Sequence, residues 1–470
     1  MKIVVPADGL VPAASGKSSR YPVTPWSAQR LYRPFVWASL AVALTLGFTT
    51  GAGMLLAPWL GFERGTWWVT HAQAHGMAQI FGFAGLFTMG VAFHVVPRFR
   101  NGSIRFPWPQ RLSLTAILLA IVLRFIGQVV LGYPVAGVML IASGILLLVG
   151  AVTFAFTIIS TLRTGSNQHG TVERWILAGT AWFVIASILH MALVVWLLDH
   201  EASIAPKFLG TAVIYSGLLG FVGSFIMGVS TRAVAGFMGL ATKHNRIELL
   251  ALTLLQAGLL VAVVSSAVEI SDNLYASGML AVSVSLVTFA IALRIFERRS
   301  RRRPPASPGA YTRFHWFIRC AFGWLLVGAV VVALESIGTL SGTRLLPNED
   351  ASPIIHIFTV GFMTSMILGV GSRMLPLFEG AVVPGRRALD VSLLLLNASV
   401  LLRTVGGFTF EGFTDSMLAV SGLLGFLAIV LAVPALAGSM RQRSRDAYRV
   451  MAAEQGRVRW LGESASTGIQ

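Results

Sequence analysis

Long apolar segments alternate with short polar segments along nearly the whole chain. Each apolar segment has about 20 residues or more, which is the length that an α-helix needs to cross the hydrocarbon core of a bilayer. Charged residues, proline or glycine bound the segments. The pattern predicts twelve spans, at residues 34–58, 71–96, 111–132, 135–160, 174–198, 208–230, 247–269, 274–296, 314–338, 353–376, 388–408 and 415–438. We therefore expect an all-α membrane protein with a single twelve-helix domain over residues 34–438.

Polar sequence flanks this domain on both sides. Residues 1–33 are rich in proline and serine, and they contain no apolar core followed by a cleavage site of small residues. They are therefore predicted to be a cytoplasmic N-terminal tail rather than a removable signal peptide. Residues 439–470 are predicted to be a cytoplasmic C-terminal tail.

Basic residues are concentrated on one side of the predicted domain. Thirty of the 36 Lys and Arg residues lie in the tails and the even-numbered connections. The connections between spans 1–2, 5–6 and 9–10 hold only Arg64, Lys207 and Arg344. Because Lys and Arg accumulate on the cytoplasmic side of a membrane protein, both termini are predicted to be cytoplasmic.

The composition excludes several classes of protein. Only 12% of the residues are charged and 55% are apolar, which is unlike an ordinary soluble protein. The net charge of +17 lies mainly where topology requires it, so it does not indicate nucleic-acid binding; the basic run 294–303 is expected to contact anionic lipid instead. A single cysteine, Cys320, excludes an internal disulfide, a cysteine-ligated iron–sulfur cluster and a covalently attached c-type haem.

A threefold internal repeat sets the expected architecture. Three segments align without gaps, namely Gly82–Phe99, Gly220–Phe237 and Gly361–Phe378. Their shared glycines are at positions 90, 228 and 369, so one four-span unit separates each from the next. We therefore expect three four-helix arcs, at about 34–160, 174–296 and 314–438, rather than the two six-span halves of many transporters. His94, Arg232 and Arg373 share one repeat position, where we expect polar anchors at the inner membrane interface.

Histidines in the membrane interior are the strongest candidates for chemistry. His71, His75 and Gln79 are spaced by four residues and therefore lie on one face of span 2, in its outer half. His356 lies about four residues inside the outer end of span 10, which is the repeat equivalent of span 2. Polar groups inside a bilayer are costly and are usually paired or functional. A satisfied hydrogen bond between helices is the alternative for any one of them.

Two arginines lie at a similar depth. Arg124 in span 3 follows Gly90 at the same sequence distance as Arg403 in span 11 follows Gly369. At 1.5 Å per residue, each lies about 20 Å from the inner end of its span. A buried arginine needs a counter-charge or a water-filled cavity, unless its long side chain reaches the outer interface. His190, in the outer third of span 5, is a weaker candidate for the same group.

Apolar helices that carry imidazole and guanidinium groups suit haem. Haem iron accepts two axial imidazoles, and arginine pairs with the anionic propionates. The predicted haem-binding residues are His71, His75, His356, Arg124 and Arg403. A zinc or copper site is less favoured, because Asp and Glu are nearly absent from the span interiors.

The motifs of spans 2 and 10 resemble those of the NnrS family. The segment His71–Phe83 reads HAQAHGMAQIFGF, and His356–Arg373 contains His-x4-Gly followed by Leu-Gly-Val-x-x-Arg. The three-arc plan is similar to the large subunit of haem–copper oxidases. The resemblance implies a protein of the bacterial inner membrane with non-covalent b-type haem, involved in denitrification or nitric oxide tolerance. By the oxidase plan, His75 (or His71) and His356 would bind the low-spin haem.

The oxidase pattern is incomplete in this sequence. Oxidases have a histidine motif in span 6, a His-His pair in span 7 and two histidines in span 10, whereas span 6 here offers only Tyr215 and span 7 has no histidine. Copper, a second haem and oxygen reduction are therefore not expected, and whether the protein is an enzyme stays open. The expected partners are nitric oxide or a similar small gas and a respiratory electron donor. The alternatives are a cofactor-free transporter or assembly factor, and a divergent oxidase or nitric oxide reductase subunit.

Overall fold

The computed structural model describes residues 30–104, 106, 108–130, 133–164, 170–240, 245–297, 311–347, 352–408 and 414–441. These residues form twelve helices that are long and apolar enough to cross a membrane. They are α1 Tyr32–Trp59, α2 Thr66–Arg100, α3 Trp108–Val129, α4 Pro134–Thr164, α5 Thr171–Asp199, α6 Lys207–Met238, α7 Arg246–Ala267, α8 Asp272–Leu293, α9 Phe314–Ser341, α10 Ser352–Glu379, α11 Arg386–Phe408 and α12 Thr414–Arg441. The predicted all-α fold with twelve spans is confirmed. Most of both predicted tails lies outside the described residues.

Helices α2, α6 and α10 lie at the centre of the bundle. Their most apolar 18-residue stretches are 100%, 89% and 78% buried, whereas the same measure is 61% or less in the other nine helices. These three helices carry the repeated segment found in the sequence. We call the side of the bundle at which α1 begins the N-side, and the other side the far side.

The repeat is visible in the backbone as well as in the sequence. Each central helix contains an eight-residue π-helical segment, at Ala78–Gly85, Ser216–Gly223 and Ile357–Thr364. The starting positions of these segments have the same spacing as the repeat glycines. Each central helix also ends at a left-handed residue with that spacing, namely Asn101, Gly239 and Gly380. Three copies of one helix geometry therefore surround a common centre.

Serine residues join neighbouring helices in the outer layer of each repeat. Ser113 Oγ on α3 donates to the carbonyl of Gly150 on α4 at 2.8 Å, and Ser392 on α11 donates to Ala428 on α12 at the same distance. In the middle repeat, a serine on α8 donates to a carbonyl of α7 at 2.6 Å. A buried hydroxyl that reaches a neighbouring backbone lets two helices pack closely without leaving a polar group unsatisfied.

On the N-side, the second and third repeats each contact an aromatic ring of the preceding repeat, and the first contacts one of the third. The His94 ring stacks on Phe378 with centroids 3.4 Å apart. The guanidinium of Arg232 lies 4.9 Å from the centroid of the Phe99 ring, and the guanidinium of Arg373 lies 5.8 Å from that of Phe237. The three pairs close a cycle between the repeats, which we call the N-side ring.

The N-side ring corrects one expectation. His94 was predicted to be an interfacial anchor, but it is only 8% exposed and is packed between Tyr32 and Phe378. The seam between repeats 1 and 3 is strengthened there by Glu379, whose carboxylate accepts hydrogen bonds from Tyr32 and Arg33. The position therefore joins the arcs to each other.

Candidate functional site

A cleft lies between repeats 3 and 1 in the far-side half of the bundle. It encloses about 430 Å³ of empty space and is bounded by α1, α2, α10, α11 and α12. Its lining residues are Phe48, Gly51, Ala52, Leu55, His75, Gln79, His356, Val360, Ser399, Val400, Arg403, Ser421, Gly422 and Gly425.

His75 reaches the cleft from α2 and packs against α1. A Cβ atom at Gly51 would lie 2.9 Å from Cε1 of His75, so the ring fits only because residue 51 has no side chain. Nδ1 of His75 is buried and has no hydrogen-bond partner. The carbonyls of Leu46 and Gly47 lie next to the ring, at the end of the π-helical segment Ala43–Gly47. A small rotation of the ring would let Nδ1–H donate to one of these carbonyls.

His356 enters the same cleft from the first turn of α10. Its Nδ1 lies 2.7 Å from the backbone carbonyl of Ser352. A carbonyl can only accept, so this hydrogen bond places the ring proton on Nδ1 and leaves Nε2 as the basic nitrogen. His75 lies within electrostatic range of His356. The cleft therefore brings together two histidines from pseudo-equivalent helices.

Arg403 supplies the positive charge of the cleft. Its Nη2 donates to Ser352 Oγ at 2.9 Å, which places the guanidinium beside the first turn of α10. Gln79 also lines the cleft, and its Oε1 is buried without a hydrogen-bond partner. The polar groups of the cleft are thus two imidazoles, one guanidinium, one amide and two hydroxyls on an otherwise apolar wall.

The structure does not bring His71 into the lining. Four residues advance an α-helix by about 400°, so His71 is rotated by roughly 40° from His75 and lies one turn closer to the far side. Its Nδ1 bonds to the carbonyl of Trp67 at 2.7 Å, and its ring lies 6.0 Å from that of Phe125 on α3. His75 is therefore the histidine of span 2 that faces the cleft.

Arg124 and His190 lie in a different part of the molecule. Arg124 on α3 is 2% exposed and His190 on α5 is 3% exposed, and the two are within electrostatic range of each other. Neither belongs to the lining of the cleft. Arg403 occupies the seam between repeats 3 and 1, whereas its repeat equivalent Arg124 occupies the seam between repeats 1 and 2.

The donor set of the cleft restricts what it can hold. Within the described ranges, no group of three or more His, Cys, Asp or Glu side chains is placed to hold a metal ion. Two imidazoles with one guanidinium suit a flat ligand that brings its own equatorial donors and its own negative charge. Sequence reasoning missed the glycines at 51, 422 and 425 and the role of Ser352. The only sequence feature that could have indicated these lining positions was the presence of glycines in spans 1 and 12, which do not carry the repeat motif.

A second cavity lies in the N-side half, between the three central helices. It encloses about 420 Å³ and is almost entirely apolar, with Thr88 and Ser230 as its polar residues. The other lining residues are Phe87, Val91, Phe225, Ile226, Val229, Val234, Met366, Ile367 and Val370. An apolar cavity of this kind favours small apolar molecules over water.

The fold is similar to that of an oxidase. A chain in a cryo-EM structure of a haem–copper terminal oxidase dimer matches with a TM-score of 0.66 and 11% sequence identity, over 89% of this chain and 85% of that chain. No curated protein matches the sequence. The sequence profile described as NnrS protein matches residues 32–443. The chain therefore belongs to the NnrS family, as its span 2 and span 10 motifs predicted.

Proposed function

We propose that this protein binds haem in the cleft between repeats 3 and 1 and acts in nitric oxide tolerance or denitrification. The observation that carries the proposal is that His75, His356 and Arg403 line one apolar cleft although they come from three different helices. Membership of the NnrS family supports the physiological setting. The oxidase-like fold supports the cofactor class, because the two histidines lie on the helices that the oxidase plan uses.

The residues of the cleft fit haem in three respects. The Nδ1–H of His356 is held by Ser352, so Nε2 is free to bind iron, which is the usual arrangement of a ligand histidine. The ring of His75 has a buried nitrogen that no protein group satisfies. The rest of the lining is largely apolar, which suits a macrocycle, and Gly51, Gly422 and Gly425 let His75, Leu55 and Ser399 pack against the backbones of α1 and α12. His75 and His356 are the residues that would hold the haem iron.

Arg403 is the proposed partner of a haem propionate. Arginine pairs bidentately with carboxylates, and Arg403 lines the apolar cleft, where a propionate would meet its guanidinium. Ser352 holds Arg403 through Oγ and His356 through its carbonyl, so one residue positions both groups. Bound haem would supply an iron centre for electron transfer or for binding of a small gas.

The ligand set indicates which of these roles the chain supports. With His75 and His356 to hold it, bound haem would supply electron transfer or sensing rather than gas binding. The apolar cavity between the central helices would hold a small apolar gas such as nitric oxide within the same protein.

The distribution of Lys and Arg supports a location in the bacterial inner membrane with the N-side facing the cytoplasm. The cleft then lies in the outer half of the membrane, so a respiratory electron donor would approach it from the outer side. The twelve apolar helices contact the lipid bilayer.

The proposal is tested by purifying the full chain in detergent after haem-replete expression. We expect reduced-minus-oxidised visible spectra of a low-spin b-type haem and a haem content near one per chain. His75→Ala and His356→Ala should each lower the haem content strongly, whereas the control His71→Ala should retain it. A wild-type protein without haem would overturn the proposal and favour a cofactor-free transporter or assembly factor. Full haem in His75→Ala with an unchanged spectrum would overturn the ligand assignment.

A further inference from the structure

The guanidinium of Arg124 is a buried charge without a visible counter-charge. Its Nε and Nη1 atoms are buried and have no hydrogen-bond partner, and the part of the chain that the structure describes gives it no ion pair. Arginine stays protonated in proteins, so the charge cannot be removed by loss of a proton. An unpaired charge at 2% exposure is strongly unfavourable. Something other than the described side chains is therefore expected to compensate it.

A serine hydroxyl lies level with Arg124 on the neighbouring helix. In the antiparallel pair α3–α4, Gly127 abuts Leu140 and Gly150 abuts Ile117. Between these two contacts, Arg124 and Ser143 are at the same height. Ser143 is fully buried, and its Oγ has no hydrogen-bond partner.

A histidine lies at the same height on the next helix. Gly144 on α4 abuts Met191 on α5, because a Cβ atom at Gly144 would lie 2.9 Å from the Met191 sulfur, so His190 is level with Ser143. Nε2 of His190 is buried and unpartnered, and His190 is within electrostatic range of Arg124. Three buried polar side chains on three helices therefore have unused hydrogen-bonding capacity at one level.

A bridge of amides closes this space toward the far side. Gln128, one turn beyond Arg124, donates from Nε2 to Gln73 Oε1 at 2.9 Å. The same oxygen accepts from the backbone N–H of Ala205 at 3.1 Å. The bridge joins α2, α3 and the connection after α5, and it separates Arg124 from the aqueous side.

The space is the repeat equivalent of the cleft that holds His75 and His356. Arg124 and Arg403 occupy the same position relative to their repeat glycines, Gly90 and Gly369. The hairpin contact between Gly144 and Met191 corresponds to that between Gly422 and Ala52 in the cleft.

The walls of the two spaces differ in size. Met191 on α5 is the repeat equivalent of Ala52 on α1. The preceding residue, His190, is therefore the equivalent of Gly51. Leu147, which is fully buried, stands where the cleft has Gly425. Larger side chains thus stand at the positions that glycine and alanine hold in the cleft. The bulkier walls favour a ligand of a few atoms over a macrocycle.

We propose that this space, which we call the Arg124 site, binds one small monovalent anion such as a halide or nitrite. Arg124 provides the counter-charge, and the N–H of His190 and the O–H of Ser143 donate hydrogen bonds. A monovalent anion is favoured because the site holds one fixed positive charge. The inference goes beyond haem binding and does not depend on it.

The test measures binding of bromide and of nitrite to the purified full chain by calorimetric titration, in a buffer whose only other anion is the bulkier gluconate. We expect saturable binding of one anion. Arg124→Gln should weaken it roughly 10-fold to 100-fold, because a charged hydrogen-bond donor is lost. The control Arg64→Gln, at an exposed ion pair with Asp415, should bind the anion like the wild type, and Arg124→Gln should retain its haem content.

Each outcome decides the proposal. Absence of saturable binding in the wild type, or equal affinity in Arg124→Gln, would overturn it. If Arg124→Gln does not fold, Ser143→Ala and His190→Gln replace it, and unchanged affinity in both would overturn it. Retained haem with lost anion binding in Arg124→Gln supports the proposal, whereas haem lost together with anion binding would overturn the assignment to a separate site. Haem missing from the wild type would count against the proposed function only.

Discussion

Arg403 and His356 are joined through a single residue, Ser352. The guanidinium donates to the serine Oγ at 2.9 Å, and the imidazole Nδ1 donates to the serine carbonyl at 2.7 Å. A cation from α11 and an imidazole from α10 are thereby held at a fixed relative position. The pair gives the cleft one group for an anionic ligand atom and one for a metal.

Removing the Ser352 hydroxyl should weaken haem retention. In Ser352→Ala the carbonyl still holds His356, and the hydrogen bond from Arg403 is lost. A hydrogen bond to a charged group is worth about 1.5–3 kcal/mol, so we expect roughly 10-fold faster haem loss to an apo-protein acceptor. The control Thr404→Val alters only a local bond to the carbonyl of Val400 and should lose haem at the wild-type rate. A common rate in both variants would contradict the role of Ser352.

Loss of the Arg403 charge should also lower haem retention. In Arg403→Leu a propionate would have no partner, and we expect the haem content to fall severalfold. The control Arg64→Leu removes an exposed ion pair with Asp415, which contributes little. Haem quantification on the purified variants provides the comparison. Equal haem content in the two variants would show that Arg403 has another role.

The wall of α1 gives a steric test with a matched control. Gly51→Ala would place a methyl group 2.9 Å from Cε1 of His75, whereas Gly53→Ala meets nothing within 4 Å. Both changes favour helix formation equally. We therefore expect Gly51→Ala to shift the haem spectrum or lower the haem content, and Gly53→Ala to do neither. Spectra of the two purified variants decide the matter.

The N-side ring should contribute measurably to stability. Phe378→Ala removes a partly buried ring that stacks on His94, and it should cost about 1–3 kcal/mol, less than the loss of a fully buried aromatic residue. A double-mutant cycle with His94→Ala should give a coupling of about 0.5–1.5 kcal/mol. Phe296→Ala, at a ring that is 51% exposed, is the control for loss of a phenyl group. Thermal unfolding in detergent compares the two single variants, the double variant and the control. A coupling energy of zero would contradict the stacking contact.

Ionisation of the Tyr311 phenol should lower the stability of the protein at high pH. It lies before α9 and donates from its hydroxyl to Asp390 at 2.9 Å. Burial, and then the hydrogen bond to Asp390, raise the pKa of Tyr311 above its ordinary value of about 10. The phenol ionises first in the unfolded chain, so its stabilising contribution is complete below about pH 10 and is lost as the pH rises further. Unfolding temperatures from pH 9 to 11 should fall more steeply in the wild type than in Tyr311→Phe.

The sequence predicted the positions along the helices better than the directions in which side chains point. Hydrophobic length located all twelve spans, and the repeat glycines located the three central helices. The depth of Arg124 and Arg403 along their helices was equally readable. The sequence did not predict that Arg124 and Arg403 lie in different seams between repeats. The rotation of a helix about its axis and the choice of its neighbours depend on packing between repeats. His71 and His75 were indistinguishable by spacing for the same reason.

The N-side ring also bears on how the chain is made. Phe378, the stacking partner of His94, is synthesised only after the middle repeat and much of the third, and the partner of Arg373 belongs to the middle repeat. The first repeat therefore lacks its aromatic contact at His94 until the third repeat has been synthesised. Contact between the third and first repeats completes the bundle, so the seam where haem is proposed to bind forms last.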